Sequence, residues 1–444
     1  MPHNPYKTAT HLLHQRLLTT AQTEHLPHDP TQTNPIALAH TITHNNHHAH
    51  RLTTEIRRAL HATTLALTNP RPHPTTDIWT HAHNNHPDPT TWFEQTILLG
   101  HPQHPLARLR GTWTTQEIHT YAPEHHTRTT LPLHQTPHMK HHPDWPLTTP
   151  DGQPLLPLHP WQAHRYQLTP TTTIPNTAPL MNLRTLTTGT HHYKTSIDLQ
   201  LTSALRHITH TALTITNHQH QLQKTLHQHD IHLQTETWAT ATTPQGTPHP
   251  HLTAIARPTP PPRTLPLAAA AEPCPHTGQP LAHKIHPDPH QYLDHLIDTW
   301  LLPTLTLHDN TGIALEAHGQ NSLITHDHQG LPNQLIYRDL GGIRLPPHWN
   351  APTRLTAHNP TETTKVLHAA LTTTLTQLIP ALAQHPNPTT WWQHLAHRLH
   401  THGGPSATQL ATQPWPTKKL LTMRLSDHPT HNQWVDRPNP LTPQ

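Results

Sequence analysis

Cysteine is almost missing from these 444 residues, with Cys274 the single example. That excludes an intramolecular disulfide framework and any zinc site built on thiolates. Carboxylates are scarce, 24 Asp plus Glu, glycine stands at 13 and phenylalanine at one. Charged residues make up only 11% of the chain, and no run of Lys and Arg exceeds a few residues. A pI near 9.1 therefore does not mark a polyanion-binding surface, and nucleic acid is not an expected partner. The hydrophobic share, 32%, is also low, yet the net charge is only +3 and periodic Leu, Ile and Trp segments run throughout. Disorder driven by charge repulsion is thus not expected. No apolar run is long enough to span a bilayer, and the opening MPHNPYKTATHLLHQRLL lacks the continuous apolar stretch of a secretion signal. The expectation is a soluble cytoplasmic protein with no membrane partner.

What is abundant is histidine, at 56, and proline, at 53. At this density any fixed His–His spacing recurs about seven times by chance, so pairs such as His47–His48 say nothing by themselves. Thr, Gln and Asn are inflated too, and with His and Pro they share codons beginning with A or C followed by A or C. A bias in nucleotide composition would account for that set. The scarce residues, the carboxylates, glycines and eight lysines, carry more information.

Two scarce carboxylates bracket one stretch, GIALEAHGQNSLITHDHQGLPNQLIYRDLGGIRL at 312–345. Segments 313–315, 321–325 and 334–337 read as extended, and the polar 326–333, with Gly330 and Pro332, as the loop of a hairpin. A hairpin returns its second strand to the start of its first, which makes Asn321 and Asp339 neighbours, with Glu316 one short loop upstream. Two carboxylates and an amide oxygen converging there form a hard oxygen site suited to Mg²⁺. Protein kinases hold the metals of ATP with a comparable Asn and Asp.

Elsewhere, apolar spacing predicts helices over 51–67, about 290–307, 361–383 and 389–402. YKTSIDLQL at 193–201 alternates as a strand, and Thr202 or Ser203 would cap a following helix that carries Arg206. RPTPPPRTLPLAAAAEPCP at 257–275 reads as a linker, because consecutive prolines forbid helix and ladder alike. Central strands with flanking helices argue for an α+β, multi-lobed enzyme. Three regions are expected, 1–145, 146–275 and 276–444.

Five stretches taken in order resemble the siderophore synthetases of the IucA/IucC type, the NRPS-independent (NIS) synthetases. They are GHPQHPLARLRG at 100–111, HPWQ at 159–162, NLRT at 182–185, KTSIDLQLTSALR at 194–206, and EAHGQN with YRDLGG. YAPE at 121–124 and the tail KKLLTMRL with NPL at 439–441 also look like family features. Several details depart from the family pattern. Arg108 stands where Lys is common, the glycine that follows sits one residue later in the family than Gly111, and Asn182 stands where Ser is usual. Family members are also longer, chiefly in the N-terminal region and central loops.

The resemblance implies adenylation by ATP of a carboxylate of citrate or a related, succinyl-type acid, followed by capture by an amine or hydroxylamine. Arg184, Thr185, Lys194 and Arg206, with Asn182, would hold the triphosphate, and Lys194, Arg206 and His318 would act at the reacting centre. His101, His104, Arg108 and Arg110 would meet the acid, and Glu316, Asn321 and Asp339 would hold Mg²⁺. The family architecture is a cupped hand: N-terminal thumb, central fingers and C-terminal palm with a kinase-like hairpin, in a homodimer. Two rival readings are a kinase-like phosphotransferase using the same hairpin and a non-enzymatic histidine-rich metal-binding protein. The first lacks a Gly-rich phosphate loop and an HRD-type base, and the second lacks a dense local histidine cluster.

Overall fold

The computed structural model describes residues 4–69, 77–201, 205–274, 277–428 and 431–442. Many of its prolines start helices. Asn4–Pro5, Asn34–Pro35, Asp288–Pro289 and Asn359–Pro360 each place an Asx side chain as N-cap and proline at the first helical position. The cap oxygen takes up a free N–H of the first turn, and proline there removes one N–H that would otherwise lack a partner. A composition that looks hostile to helices thus marks where they begin.

Helices Pro5–Thr23, Pro35–Ile42 and Ala49–Thr68 pack around their own core of Leu13, Leu17, Leu38, Leu52 and Ile56, which Leu106, Leu109 and Leu421 complete. The middle of the chain forms an eight-stranded antiparallel sheet in the order 139–141, 237–242, 248–258, 191–195, 185–187, 172–179, 129–134, 156–157. Trp145, Leu131, Leu156, Leu186 and Tyr193 fill one of its faces. A second sheet runs Thr264–Pro266, Ser322–His326, Pro332–Tyr337, Ile231–Leu233, with the last pair parallel. Behind it lie the helices of 289–311, Pro360–Leu382, Thr389–His402 and Pro405–Thr412, around the largest apolar core. Within 289–311 the helix widens to a π turn at Ile297–Leu301, just before Pro303 removes a donor. No helix among the described residues is long and apolar enough to cross a membrane.

The hairpin expected at 321–337 is present, with Ser322 opposite Tyr337. Residues 313–315 do not form a strand; Ala314 makes only an isolated bridge to Arg344. Two other expectations are corrected. The described part of 257–275 is not a linker: it finishes the strand Pro248–Pro258, supplies the edge strand Thr264–Pro266 and forms the short helix Leu267–Ala270. The proline cluster occupies only the turn between those strands, where no ladder donor is needed. Arg206 lies not on a helix but on the two-residue strand Leu205–Arg206, paired with Ile197–Gln200. The capping role of Thr202 or Ser203 falls outside the described residues.

Gly330 closes the hairpin at φ +85°, and a Cβ there would run into the carbonyl oxygen of Ile285. Gly330→Ala should therefore destabilise the protein by more than about 1 kcal/mol, read as a lower denaturation midpoint at unchanged slope. An unchanged midpoint would show that this turn is not held against 285.

Candidate active site

The loop 316–321, which links the bridge at Ala314 to the hairpin, is compact because its backbone groups are taken up one by one. The N–H of His318 donates to the carbonyl of Glu316 (2.9 Å) and that of Asn321 to the carbonyl of His318 (2.9 Å). Gly319 N–H donates to Thr374 Oγ1 (2.8 Å), and its carbonyl accepts from Ala268 N–H (2.9 Å). A Cβ on Gly319 would meet the Ala268 backbone, so only glycine fits. Trp300 Nε1 anchors the loop from below on the Ala317 carbonyl (3.2 Å) and Ser322 Oγ (3.1 Å).

A cavity of about 330 Å³ opens above this loop, between the two sheets. The segment 100–110 contributes His101, His104, Arg108 and Arg110, and the large sheet with its neighbouring strands contributes Asn182, Arg184, Lys194 and Arg206. The hairpin side contributes Glu316, His318 and Asp339, and the C-terminal hairpin Lys418 and Trp434. Of the predicted residues, Thr185 and Asn321 stand behind this wall. Asn182 and Thr185 bind each other: Asn182 Oδ1 accepts from Thr185 N–H (2.9 Å) and its Nδ2 donates to Thr185 Oγ1 (2.8 Å). The pair closes the turn in which Leu183 sits at φ +70° and from which Arg184 projects. Asn321 is buried with its Nδ2 on the carbonyl of Glu316 (3.1 Å).

The two sheets are joined electrostatically. Lys194, on the strand His191–Thr195, donates through Nζ to Asp339 Oδ2 at 2.6 Å. Arg257, on the adjoining strand, stands 3.8 Å from the other oxygen of Asp339 and is held by buried Glu236 (Nη2–Oε1 2.6 Å, Nε–Oε1 2.9 Å). Burial would push the Asp339 carboxyl up, but Lys194 and Arg257 overrule it and hold it far below the ordinary carboxylate range. Burial lowers the Lys194 ammonium to about 8 against the pull of Asp339, and lowers Arg184 to about 9 with help from Arg206. Arg184 Nη1 donates to the carbonyl of Arg206 (2.8 Å), which ties the short strand to the turn at 182–185. Lys418 Nζ stands 3.9 Å from Glu316 Oε1.

Three histidines on the wall share one local device. His101, His104 and His318 each accept at Nδ1 from the backbone N–H two residues on, at 3.3, 3.0 and 3.2 Å. An accepting Nδ1 puts the proton of the neutral ring on Nε2, so each ring is a fixed N–H donor. Desolvation by the surrounding protein lowers all three below the ordinary imidazole value, His101 to about 3 even though that residue stays partly exposed.

Arg108 and Arg110 converge on buried Glu124 of YAPE. Arg110 reaches Oε1 (Nη2 2.5 Å) and Arg108 reaches Oε2 (Nη1 3.4 Å) while also capping the carbonyls of Ile97 and Leu98. Their guanidinium groups thus organise the segment 97–110 that carries His101 and His104. Arg257, Glu236, Glu124 and Lys418 escaped the residue-by-residue reading. Their signal was scarcity, since each is a rare charge, but Arg257 was hidden by the linker reading of 257–275.

Comparison with known proteins fits this frame. The IucA / IucC family model matches residues 89–139, and one described as a ferric iron reductase FhuF-like transporter matches 290–432. A curated L-2,3-diaminopropanoate–citrate ligase of Staphylococcus aureus is 47% identical over 57 residues, which is 13% of this chain and 10% of that ligase. ATP-bound aerobactin synthetase IucA from Klebsiella pneumoniae superposes with a TM-score of 0.71 at 18% identity, over 89% of this chain and 83% of that one. The petrobactin biosynthesis protein AsbB from Bacillus anthracis gives 0.75 at 14% identity, over 99% and 96%. The mixed helix-and-sheet fold is therefore shared with these two proteins. The likeness to the IucA / IucC family model lies in residues 89–139, the part of the chain that carries His101, His104, Arg108 and Arg110.

The Glu124 cluster has a pH signature. Burial alone would raise its carboxyl, yet Arg110 and Arg108 hold it at about 2. A folded value below the unfolded one, near about 4.3, adds stability that is present above about pH 5 and lost as pH falls toward 2. Glu124→Gln should be less stable than wild type at pH 7 by about 3–5 kcal/mol, with the gap closing in acid. Denaturant unfolding at stepped pH reads this, and a gap constant from pH 7 to 3 would refute it.

Proposed function

We propose that the chain is an ATP-dependent synthetase that adenylates a carboxylate of citrate or a related acid and condenses it with an amine or hydroxylamine, in siderophore biosynthesis. The observation that carries this reading is the gathering of Arg184, Lys194, Arg206 and Lys418 with Glu316 and Asp339 on one cavity. A carboxylate and a triphosphate repel one another, and their reaction needs fixed positive charge in a site poor in water. The acid's carboxylate oxygen would attack the α-phosphorus, the bond to the bridging α–β oxygen would break, and pyrophosphate would leave. The amine would then attack the acyl carbon and lose a proton as AMP departs.

Arg184, Lys194 and Arg206 would take the phosphate oxygens. Lys194 is tethered to Asp339 until an anion competes for it, and its lowered ammonium value is raised again by that anion. His101, His104 and His318, as neutral N–H donors, suit the several carboxylates of a citrate-like acid without adding charge that would trap the product. Arg108 and Arg110 would act on the acid through the segment they brace. Glu316 and Asp339, hard oxygen donors on one wall, fit Mg²⁺, with Asn321 supplying an amide oxygen beside them, and the ion when bound would neutralise triphosphate charge.

The thumb, fingers and palm of a cupped hand would correspond to 1–145, 146–275 and 276–444, with the hairpin 322–337 as the kinase-like device of the palm. Two copies would form a homodimer.

Acid-dependent release of AMP and pyrophosphate is the expected result when the protein is incubated with ATP, Mg²⁺ and citrate or a succinyl-type acid, with hydroxylamine as trap. Arg206→Ala should slow it by at least about a hundredfold, as loss of one preorganised donor does. Release of ADP without AMP would instead assign the cavity to direct phosphoryl transfer.

Asp339→Asn should abolish turnover while the fold persists. Asp339 sits at φ +76°, a conformation Asn adopts readily, so the backbone is not strained by the change. Circular dichroism alongside the rate assay separates the two effects, and near wild-type turnover at saturating Mg²⁺ would remove Asp339 from the machinery.

A further inference from the structure

The chain has 56 histidines, yet among the described residues convergence of ligand atoms in space is rare. Among the described residues a single group of three His, Cys, Asp or Glu brings its ligand atoms within 4.8 Å of one another: His47, His48 and Asp427. None of the three lines the cavity. His47 Nε2 lies 3.1 Å and His48 Nε2 2.9 Å from the same oxygen, Asp427 Oδ1. Adjacent residues inside a helix point apart. These two sit in the turn that precedes the helix Ala49–Thr68, where both rings face the same way with centroids 3.9 Å apart.

The two segments are fastened around the group. Arg51 donates to the carbonyls of Arg424 and Ser426, and Asn46 Nδ2 to that of Leu425 (3.4 Å). Asn46 Oδ1 accepts from His48 N–H (2.8 Å), which fixes the turn, and Glu55 pairs with Arg424 beneath. Hydrogen bonds between a solvent-exposed carboxylate and two imidazoles add little stability in water. As a ligand set the arrangement is better matched. Ligand atoms about 2.0–2.1 Å from a tetrahedral ion stand about 3.3 Å apart, near the two His–Asp separations of 3.1 and 2.9 Å. Two imidazole nitrogens and one carboxylate oxygen suit a borderline ion and leave a position for water, whereas Mg²⁺ prefers oxygen alone.

We propose that His47, His48 and Asp427 form a surface site for a divalent transition-metal ion of the Zn²⁺ class. The ion would clip the N-terminal helices to the segment after the helix Leu420–Arg424. In sequence Asp427 lies between Lys418 and Trp434, both on the cavity wall, so the clip would fasten the chain next to that wall.

Zinc chloride titration of the full-length protein against a chromophoric zinc indicator tests this. The wild type should withhold one equivalent from the dye. Asp427→Asn and His48→Gln should each weaken that site at least about tenfold, while His358→Gln, an exposed histidine elsewhere, leaves it unchanged. X-ray absorption at one equivalent should report mixed nitrogen and oxygen ligands without sulfur. No withheld equivalent, or one that survives both ligand substitutions, would overturn the site. The readout does not involve ATP or any acid, so it stands or falls separately from the proposed reaction.

Discussion

The ion pair between Lys194 and Asp339 is the constraint on which the rest of the cavity depends. It is the point where the eight-stranded sheet and the hairpin sheet meet as charges, with Lys194 buried and Asp339 a quarter exposed toward the cavity. Glu236 and Arg257 extend it into a row of alternating charge, so Asp339 is approached by two cations from adjacent strands. Lys194 and Arg257 lie on strands that pair directly, with Ile255 opposite Lys194 and Arg257 opposite His192. Their side chains consequently leave the same face of the sheet. The cavity is positive because the sheet is built that way, and Asp339 sits against two of its cations.

The same economy appears throughout the chain. With so few charged residues, the buried ones are held either by an opposite charge, as Glu124 by Arg108 and Arg110, Glu94 by Arg338 and Glu55 by Arg424, or by backbone groups, as Glu24 and Glu272. Arg338 precedes Asp339 and Glu94 follows Trp92 and Phe93, so the Glu94 pair also ties the hairpin to the segment leading into 97–110. Histidine plays the opposite part. Apart from rings fixed by a backbone donor, such as those at 101, 104 and 318, most of the abundance has no single role. Position rather than number separates the few that face the cavity, or that meet Asp427, from the rest.

Long elements were legible from pattern. The helices near 290–307, 361–383 and 389–402 and the hairpin at 321–337 follow from apolar spacing and from the Gly330–Pro332 loop, because local periodicity reports which face is buried. The strand reading of 193–201 survives as two strands, His191–Thr195 and Ile197–Gln200. Where local rules failed, a longer-range partner won. Arg206 became a strand because Ile197 offered it a ladder, and the 257–275 segment was absorbed because sheet partners on both sides satisfied the backbone around its prolines. The family motifs located most of the cavity wall in advance, since each draws on residues this composition makes rare.

The amino-acid sequence alone determined the helix starts, through its Asx–Pro pairs, the hairpin, and the order of motifs that carry the family likeness. These depend on contacts within a few residues or on the identity of rare residues. Which charges oppose one another was decided only by the tertiary structure: Glu236 with Arg257, Glu124 with both arginines, and Asp427 with two histidines 379 and 380 positions away. Such pairings carry no periodic signature, because their energy depends on distance and burial, and both are set by how distant segments pack.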